Sequence, residues 1–531
     1  MHLTSPLRLF LQYLCLILLA VLVVSCRTPH ASHAPPSAQA NDEKEEAPSG
    51  SQHVAANSQS KFDQQNSSAS LLSDDSPASA DPSHSSDSAS PNKRNQRIAL
   101  RGGRVMTATG VIYDRADVLI EDEHIIGIGV DLNIPAGTQI IDVQGKTVTP
   151  GIIDSHSHMG VYASPSLRAH SDGNEAVSPI TAYAHTADAF WPQDPQLSTA
   201  RAGGVTTIQV LPGSANLIGG RSVTIKLRPH LRSIDDARFP HAPGGLKMAC
   251  GENPKRVYGQ KGGPSTRMGN VAGYRRAFQA AVEYRKRWQN YRKKLNAWKK
   301  KQEQSKKSNK QSRPDAPKID HGLENLVMAL DGKLLVHNHC YRADEMSVML
   351  NLAKDFGFKI RSFHHAVEGY KIADRLARSG TSASVWADWW GFKAEAYDGI
   401  LENAALIANA GARAIIHSDS AIGIQRLNQE AAKAMFSGHR AGISISEDTA
   451  LRWITANPAW ALGIHQQTGT LETGKMADIV VWNGSPFSVY AKAEQVYIDG
   501  ALVYDRNNPQ KQPRTDFDLG FRQGDLQEGS N

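Results

Sequence analysis

Eight short apolar runs between residues 150 and 420 constrain this chain more than any other feature. They read GIIDSHSH, GVTTIQVLP, SVTIKL, GLKMACG, LLVHNH, KIRSFHH, SASVWAD and ARAIIHSD, and most end in small or polar residues. Helical stretches such as LENLVMAL, YKIADRLARSG and YDGILENAALIANAG fall between the later ones. Eight strand–helix units over about 310 residues suit a TIM-type (β/α)8 barrel, whose working groups collect at the C-terminal ends of the strands. A doubly wound open sheet is the alternative, but it explains polar residues at so many strand ends less well. The expected class is α/β, with the barrel over residues 151–465.

Two β-rich segments flank that region. RIALRGGRVMTATGVIYDRADVLIEDEHIIGIG precedes it, and GTLETGKMADIVVWNGSPFSVYAKAEQVYIDGALVYD follows it. Short β-branched runs broken by Gly and Asp read as meanders of strands. Neither half, at about 40–50 residues, makes a comfortable core alone. They are expected to join as a small composite β-sandwich from residues 98–150 and 466–505, leaving 506–531 as a tail.

The N-terminal end speaks to compartment. Residues 9–24 are almost wholly apolar and are followed by Ser25 and Cys26. The run is short for a membrane span and typical of a signal-peptide core. VVSC resembles a bacterial lipobox, so residues 1–25 read as a signal peptide and Cys26 as the lipidated first residue. An uncleaved anchor helix is the alternative. Either way the body is expected outside the cytoplasm, lipid-anchored and facing the periplasm or the cell exterior. Residues 26–97 hold Ser, Ala, Pro, Asp and His with few large apolar side chains, the composition of a disordered tether. Of the remaining cysteines, Cys250 and Cys340 each follow an apolar run and read as buried small residues, with a disulfide between them the lesser alternative.

Charge is unevenly placed. Between Tyr274 and Lys318 stand 16 Lys or Arg against three acids, a surplus larger than the chain's total of +7. Ala281, Tyr284, Trp288, Tyr291, Leu295 and Trp298 recur there at helical spacing, giving a basic helical insertion over 274–318 with one aromatic stripe. A solvated basic face is the plain expectation, and contact with an anionic membrane or polysaccharide surface the sharper one. Nucleic acid is not an expected partner for an exported chain. The segment from Lys299 to Lys318 reads as a mobile loop.

Chemistry gathers at the strand ends. His156 and His158 are two apart and share one face of an extended strand, where two imidazoles can chelate one divalent ion. His337 and His339 close the fifth run, His364 and His365 the sixth, and Asp419 the eighth. This order, with GTLETGKMADIVVW near the far end, resembles the amidohydrolase superfamily of metal-dependent hydrolases. HCYRADEM, HHAVEGYKIADRLA and HSDSAIGIQRLNQEAAKA are most similar to its imidazolonepropionase-like and prolidase-like branch, over roughly residues 98–505.

The resemblance implies a divalent cofactor of zinc type, as two ions or one. His156 and His158 would hold the first ion and His339 and His365 the second, with a slip to His364 left open. Asp419 would be both ligand and general acid–base. A carboxylate must bridge two ions, and in such proteins it is a carboxylated lysine or a glutamate. Glu252 follows LKMAC as the other assigned groups follow their runs, whereas Lys247 lies roughly 15 Å lower along an extended strand. Glu252 is therefore the expected bridge and Lys247 the alternative. Lys255, Arg256 and Tyr258 just beyond it could grip a substrate carboxylate, and Trp386, Trp389 and Trp390 could face the pocket. The expected activity is hydrolysis of a C–N bond in an amide, cyclic amide or dipeptide. A deaminase is the enzymatic alternative and a non-catalytic binding lipoprotein the other. Oligomeric state is not legible.

Overall fold

The structure, a computed structural model, describes residues 96–304, 312–389 and 391–513. The apolar run, Cys26, the tether up to residue 95, Trp390 and the tail from residue 514 lie outside the described residues. The chain enters as β1 (Arg97–Met106), β2 (Ile112–Glu121), β3 (His124–Gly129), β4 (Gln139–Asp142) and β5 (Thr147–Pro150). Eight strands follow: β6 (Ile152–Ser157), β7 (Val205–Val210), β8 (Ile218–Lys226), β9 (Gly245–Ala249), β10 (Leu335–Cys340), β11 (Ile360–His365), β12 (Ser382–Val385) and β13 (Ala414–Ile416). The last three are β14 (Ile479–Trp482), β15 (Ala493–Ile498) and β16 (Ala501–Asp505).

The first five and last three strands form one hydrogen-bonded sheet, ordered β16-β15-β14-β5-β1-β2-β3 with β4 on β1. Its junction is antiparallel, with Thr147 opposite Trp482 and Pro150 opposite Ile479. A sandwich was the expectation; the two ends join edge to edge within a single sheet. Pairing removes an open edge from each short half. Leu100, Val118 and Val148 from one end pack in one cluster with Ile479, Val481 and Tyr497 from the other.

All eight apolar runs are strands of a second sheet, ordered β13-β12-β11-β10-β9-β8-β7-β6. One of them departs from the expected all-parallel arrangement. β8 runs antiparallel to both β7 and β9. Only LPGSANL joins β7 to β8, and a parallel crossover needs a dozen or more residues. Among the described residues no ladder closes β13 onto β6. Instead, Ile416 N–H donates to Trp453 O at 3.0 Å, Ile153 N–H to Ile454 O at 2.9 Å, and Asp419 N–H to His156 O at 3.1 Å. The sheet is thus a nearly closed barrel with a seam.

Cys250 and Cys340 form a disulfide, with Cα atoms 5.3 Å apart, rather than standing as separate buried thiols. Register explains this: Ala249 pairs with His339, which sets the next residues of both strands side by side. The basic insertion is a helix over Arg267–Gln304. It therefore runs into the stretch expected as a loop, of which 305–311 lie outside the described residues.

The barrel is fastened to the composite sheet by a buried charge. Lys226 at the end of β8 is fully buried and donates to Asp478 Oδ1 at 2.9 Å and to Asp499. Asp478 also accepts from Thr468 Oγ1 at 2.9 Å. Between β5 and β6 only Gly151 intervenes, and a Cβ there would stand 2.2 Å from Thr206 Oγ1. Lys226 retains Asp499 if Asp478 is lost, but removing Lys226 leaves the fully buried Asp478 carboxylate uncompensated. Lys226→Met is therefore expected to lower unfolding stability by about 3 kcal/mol, and adding Asp478→Asn to recover a substantial part of it. Paired denaturant titrations check both.

Candidate metal centre at the strand ends

His156 lies near the end of β6 and His158 just beyond it. Their Nε2 atoms are 3.3 Å apart, and Asp419 Oδ1 stands 3.6 Å from the first and 3.3 Å from the second. The other ring nitrogens are tied down. His158 Nδ1 lies 2.8 Å from Leu211 O, which places a proton on Nδ1 and turns Nε2 toward Asp419. His156 Nδ1 is 2.9 Å from His364 Nδ1, and His364 Nε2 is 2.9 Å from His337 Nδ1. His337 and His364 thus form a buried relay behind His156.

β11 ends in two consecutive histidines, which in a regular strand would face opposite ways. His365 instead has φ of +71°, and Ala366 φ of +33°. The turn brings His365 to the cluster while His364 keeps its inward position. His365 Nε2 lies 3.9 Å from Asp419 Oδ2, and its backbone N–H donates to His417 Nε2 at 3.3 Å. Ligand atoms of His156, His365 and His417 lie within 4.8 Å of one another, as do those of His156, His158 and Asp419. His339 sits beside them, its ring 4.5 Å from that of His365. Both His339 ring nitrogens are buried without a hydrogen-bond partner, as are His365 Nδ1 and His417 Nδ1.

Electrostatics keeps these imidazoles neutral. Burial, reinforced by neighbouring cations and rings, holds His156, His339 and His365 well below the ordinary histidine range. Burial likewise pushes His417 down to about 3. Asp419 is held below the usual carboxylate range: burial opposes ionisation, but the hydrogen bond and charge of His158, with His417 and Lys247, outweigh it. Neutral imidazoles converging with an ionised carboxylate are the donor set of a zinc-type ion. Orphaned buried nitrogens are costly unless something completes them. The residues present fit a divalent metal.

The two bridge candidates part company. Lys247 is fully buried, donates to Pro212 O at 2.9 Å, and carries a pKa pushed down to about 7 by burial, against the pull of Asp419. Its charge bears on His156, His339, His365 and Asp419 alike. Glu252, the expected bridge, is not in the cluster. β9 stops at Ala249, Gly251 turns the chain with φ of +84°, and Glu252 opens the helix Glu252–Tyr258. Its carboxylate lies 3.5 Å from Lys393 Nζ. That ammonium sits 4.0 Å over the Tyr341 ring. The extended-strand estimate failed because the strand ends three residues early.

The remaining expected contacts are dispersed. On the same helix Lys255 is half-buried, Arg256 exposed, and Tyr258 buried with a hydroxyl that has no partner. Trp386 stacks on His365 with ring centroids 4.4 Å apart, and Trp389 stacks on Trp386 at 5.3 Å. Sequence reasoning passed over His417, although H-x-D at 417 and 419 repeats the spacing that singled out His156 and His158. It also passed over Asp154. This carboxyl, pushed up to about 7 by burial, accepts from His156 N–H at 3.0 Å, from Ser418 N–H at 3.3 Å and from the Ser418 hydroxyl.

A buried histidine–aspartate cluster at the ends of barrel strands is the site of a hydrolase-type fold, and comparison with known proteins identifies the family. The profile of the amidohydrolase family matches residues 341–504. The chain is similar to the solved structure of an amidohydrolase from Thermotoga maritima, at 34% identity and a TM-score of 0.66, over 77% of this chain and all of that one. It is 34% identical over 406 residues to amidohydrolase tasK of Hapsidospora irregularis, which is 73% of this chain but 40% of that protein. A shorter match of 62 residues, 42% identical, links 12% of this chain to 15% of a dihydroorotase of Citrifermentans bemidjiense. The chain belongs to the amidohydrolase family. It spans 40% of the length of the Hapsidospora irregularis relative.

Metal analysis tests the ligand geometry. Glu252→Ala should leave bound divalent metal unchanged, whereas His156→Asn should lower metal affinity by at least about tenfold. Elemental analysis after dialysis against a graded chelator reads both.

Proposed function

We propose that the protein is a metal-dependent amidohydrolase that cleaves a C–N bond in an amide, cyclic amide or dipeptide. One observation carries this reading: two imidazole Nε2 atoms and the Asp419 carboxylate converge on one point at the strand ends, with five further buried imidazoles around and behind them. His156, His158 and Asp419 would hold one divalent ion, and His339 and His365 a second, with His417 beside them. Such an ion lowers the pKa of bound water and polarises the scissile carbonyl.

The chain's own residues do the rest. Asp419 accepts the proton of the attacking water on its carboxylate and delivers it to the leaving nitrogen. Its φ of +48° and the bond from its N–H to His156 O hold that carboxylate over the histidine pair. Leu211 O and His364 orient the two imidazoles, so that neither must turn as charge develops. Lys247, rather than Glu252, would be the source of a carboxylate beside two ions: its amine and carbon dioxide would form a carbamate with loss of one proton. Trp386 and Trp389 bound the site beside His365 and suit an apolar substrate group.

Glu252 outside the cluster also favours a second reading, deamination at a single-ion site in which Lys247 remains an amine. Ion count separates the two. The disulfide supports export, because disulfides persist outside the cytoplasm. Residues 1–25 then act as the signal and Cys26 as the lipid anchor.

The test is a panel of N-acyl amino acids, dipeptides, cyclic amides and amino-substituted heterocycles offered to zinc-loaded protein. C–N cleavage in one or more of the first three classes is expected, read as a freed amine for the open-chain substrates and as ring opening for the cyclic amides. Ammonia release from the fourth alone would transfer the assignment to deamination, and inertness toward all four would overturn both. Asp419→Asn is expected to lower kcat by roughly 100- to 10,000-fold. Lys247→Met should reduce the metal content from two ions to one or none.

A further inference from the structure

The long helix Arg267–Gln304 changes character along its length. Seven of its eight buried residues, from Asn270 to Tyr284, lie in its first half and pack toward the barrel. Beyond Tyr284 only Leu295 is buried. The distal part extends roughly 30 Å at 1.5 Å per residue.

That distal part has a strict seven-residue phase. Arg285, Lys286 and Arg287 are followed by Arg292, Lys293 and Lys294, and then by Lys299, Lys300 and Lys301. Tyr284, Trp288, Tyr291, Leu295 and Trp298 mark the seam between the triads, spaced by four and three. The phase leaves no cation three or four residues from another, where repulsion across a helical turn would be felt. Nine cations are thus carried against one acid, Glu303, between residues 285 and 304.

Ordinary solvation does not account for this. A helix face shaped only for solubility intersperses both signs and gains from pairs one turn apart. The favourable end of the helix dipole reaches only the last turn. Arg285 pairs with Asp331 at 2.7 Å. Lys286, Arg292, Lys293, Lys294, Lys300 and Lys301 are exposed and have no acidic partner among the described residues. Trp288, Tyr291 and Trp298 are half-buried on the face of the buried Tyr284 and Leu295, so the three triads stand on the opposite side of the helix. A continuous cationic face with no acid interspersed is complementary to the anionic surface of a lipid leaflet. No helix among the described residues is long and apolar enough to cross a membrane, so the contact is lateral.

We propose that the helix from Arg285 to Lys301 is a docking arm for anionic phospholipid headgroups. It presents three cationic clusters about 10.5 Å apart along the axis. Each Lys or Arg near an anionic leaflet contributes about fivefold to attraction. An N-terminal lipid anchor would hold the chain near the bilayer, and the arm would then set which face of the body meets it. The arm shares no residue with the histidine cluster, so this inference stands or falls apart from the hydrolase reading.

The test is hydrogen exchange of the full chain on vesicles of phosphatidylcholine alone and of phosphatidylcholine with phosphatidylglycerol. Amides of residues 285–304 should exchange roughly tenfold more slowly or better on the anionic vesicles, with high salt reversing the effect. Replacing Arg292, Lys293, Lys294, Lys300 and Lys301 by Gln keeps helix propensity and should abolish the difference, with metal content and circular dichroism unchanged. Equal exchange on both vesicles would overturn the proposal, as would protection that survives the five substitutions. Protection by heparin but not by anionic vesicles would overturn it in favour of a polysaccharide partner.

Discussion

The seam between β6 and β13 is the contact on which the site depends. A barrel normally closes by a ladder of backbone bonds; here the first and last strands meet through Asp154. One buried carboxyl takes hydrogen bonds from His156 N–H, from Ser418 N–H and from the Ser418 hydroxyl. The Asp419 N–H to His156 O bond completes the join. Closing the barrel and assembling the ligand set are therefore one event. Without the seam, His156 and Asp419 would sit on opposite open edges of a sheet. Burial that raises the Asp154 pKa also shields these bonds from water, which strengthens them.

Around that seam the histidines are arranged in depth. His337 and His364 occupy the interior and hold His156 from behind. His365 reaches the upper level only because the chain takes a left-handed turn there. Non-glycine residues adopt such a conformation at a cost that surrounding structure must offset. Asp419 shows the same positive φ on the opposite side. Two positive-φ residues facing one point indicate that the cluster, rather than local backbone preference, decides these conformations.

Much of this was legible in the sequence, and the failures have physical causes. Apolar runs identified all eight barrel strands, because burial on both faces enforces continuous hydrophobicity. They carried no directional information, so the antiparallel β8 had to be read from the seven-residue link before it. Two-residue spacing singled out His156 and His158, while His339 and His365 were chosen over their neighbours His337 and His364 by resemblance, because alternation alone does not place His365, whose φ is positive. Glu252 was misplaced where that rule lapsed, at Gly251, whose positive φ ends extension. Lys247 was discounted for the same reason, as its height was measured along a strand taken to be too long. The Cys250–Cys340 disulfide follows from the Ala249–His339 register, which no single strand discloses.

The edge-to-edge sheet has a consequence for how the chain reaches this state. β5 and β14 are separated by more than three hundred residues, yet Thr147 and Trp482 are ladder partners. Pairing so distant in sequence waits for nearly the whole barrel to emerge, and contacts of this kind form slowly. Until then β1 to β5 stand with an unpaired edge. Order of synthesis and order of pairing are therefore opposed at this edge: the strands made first are the last to find their partner.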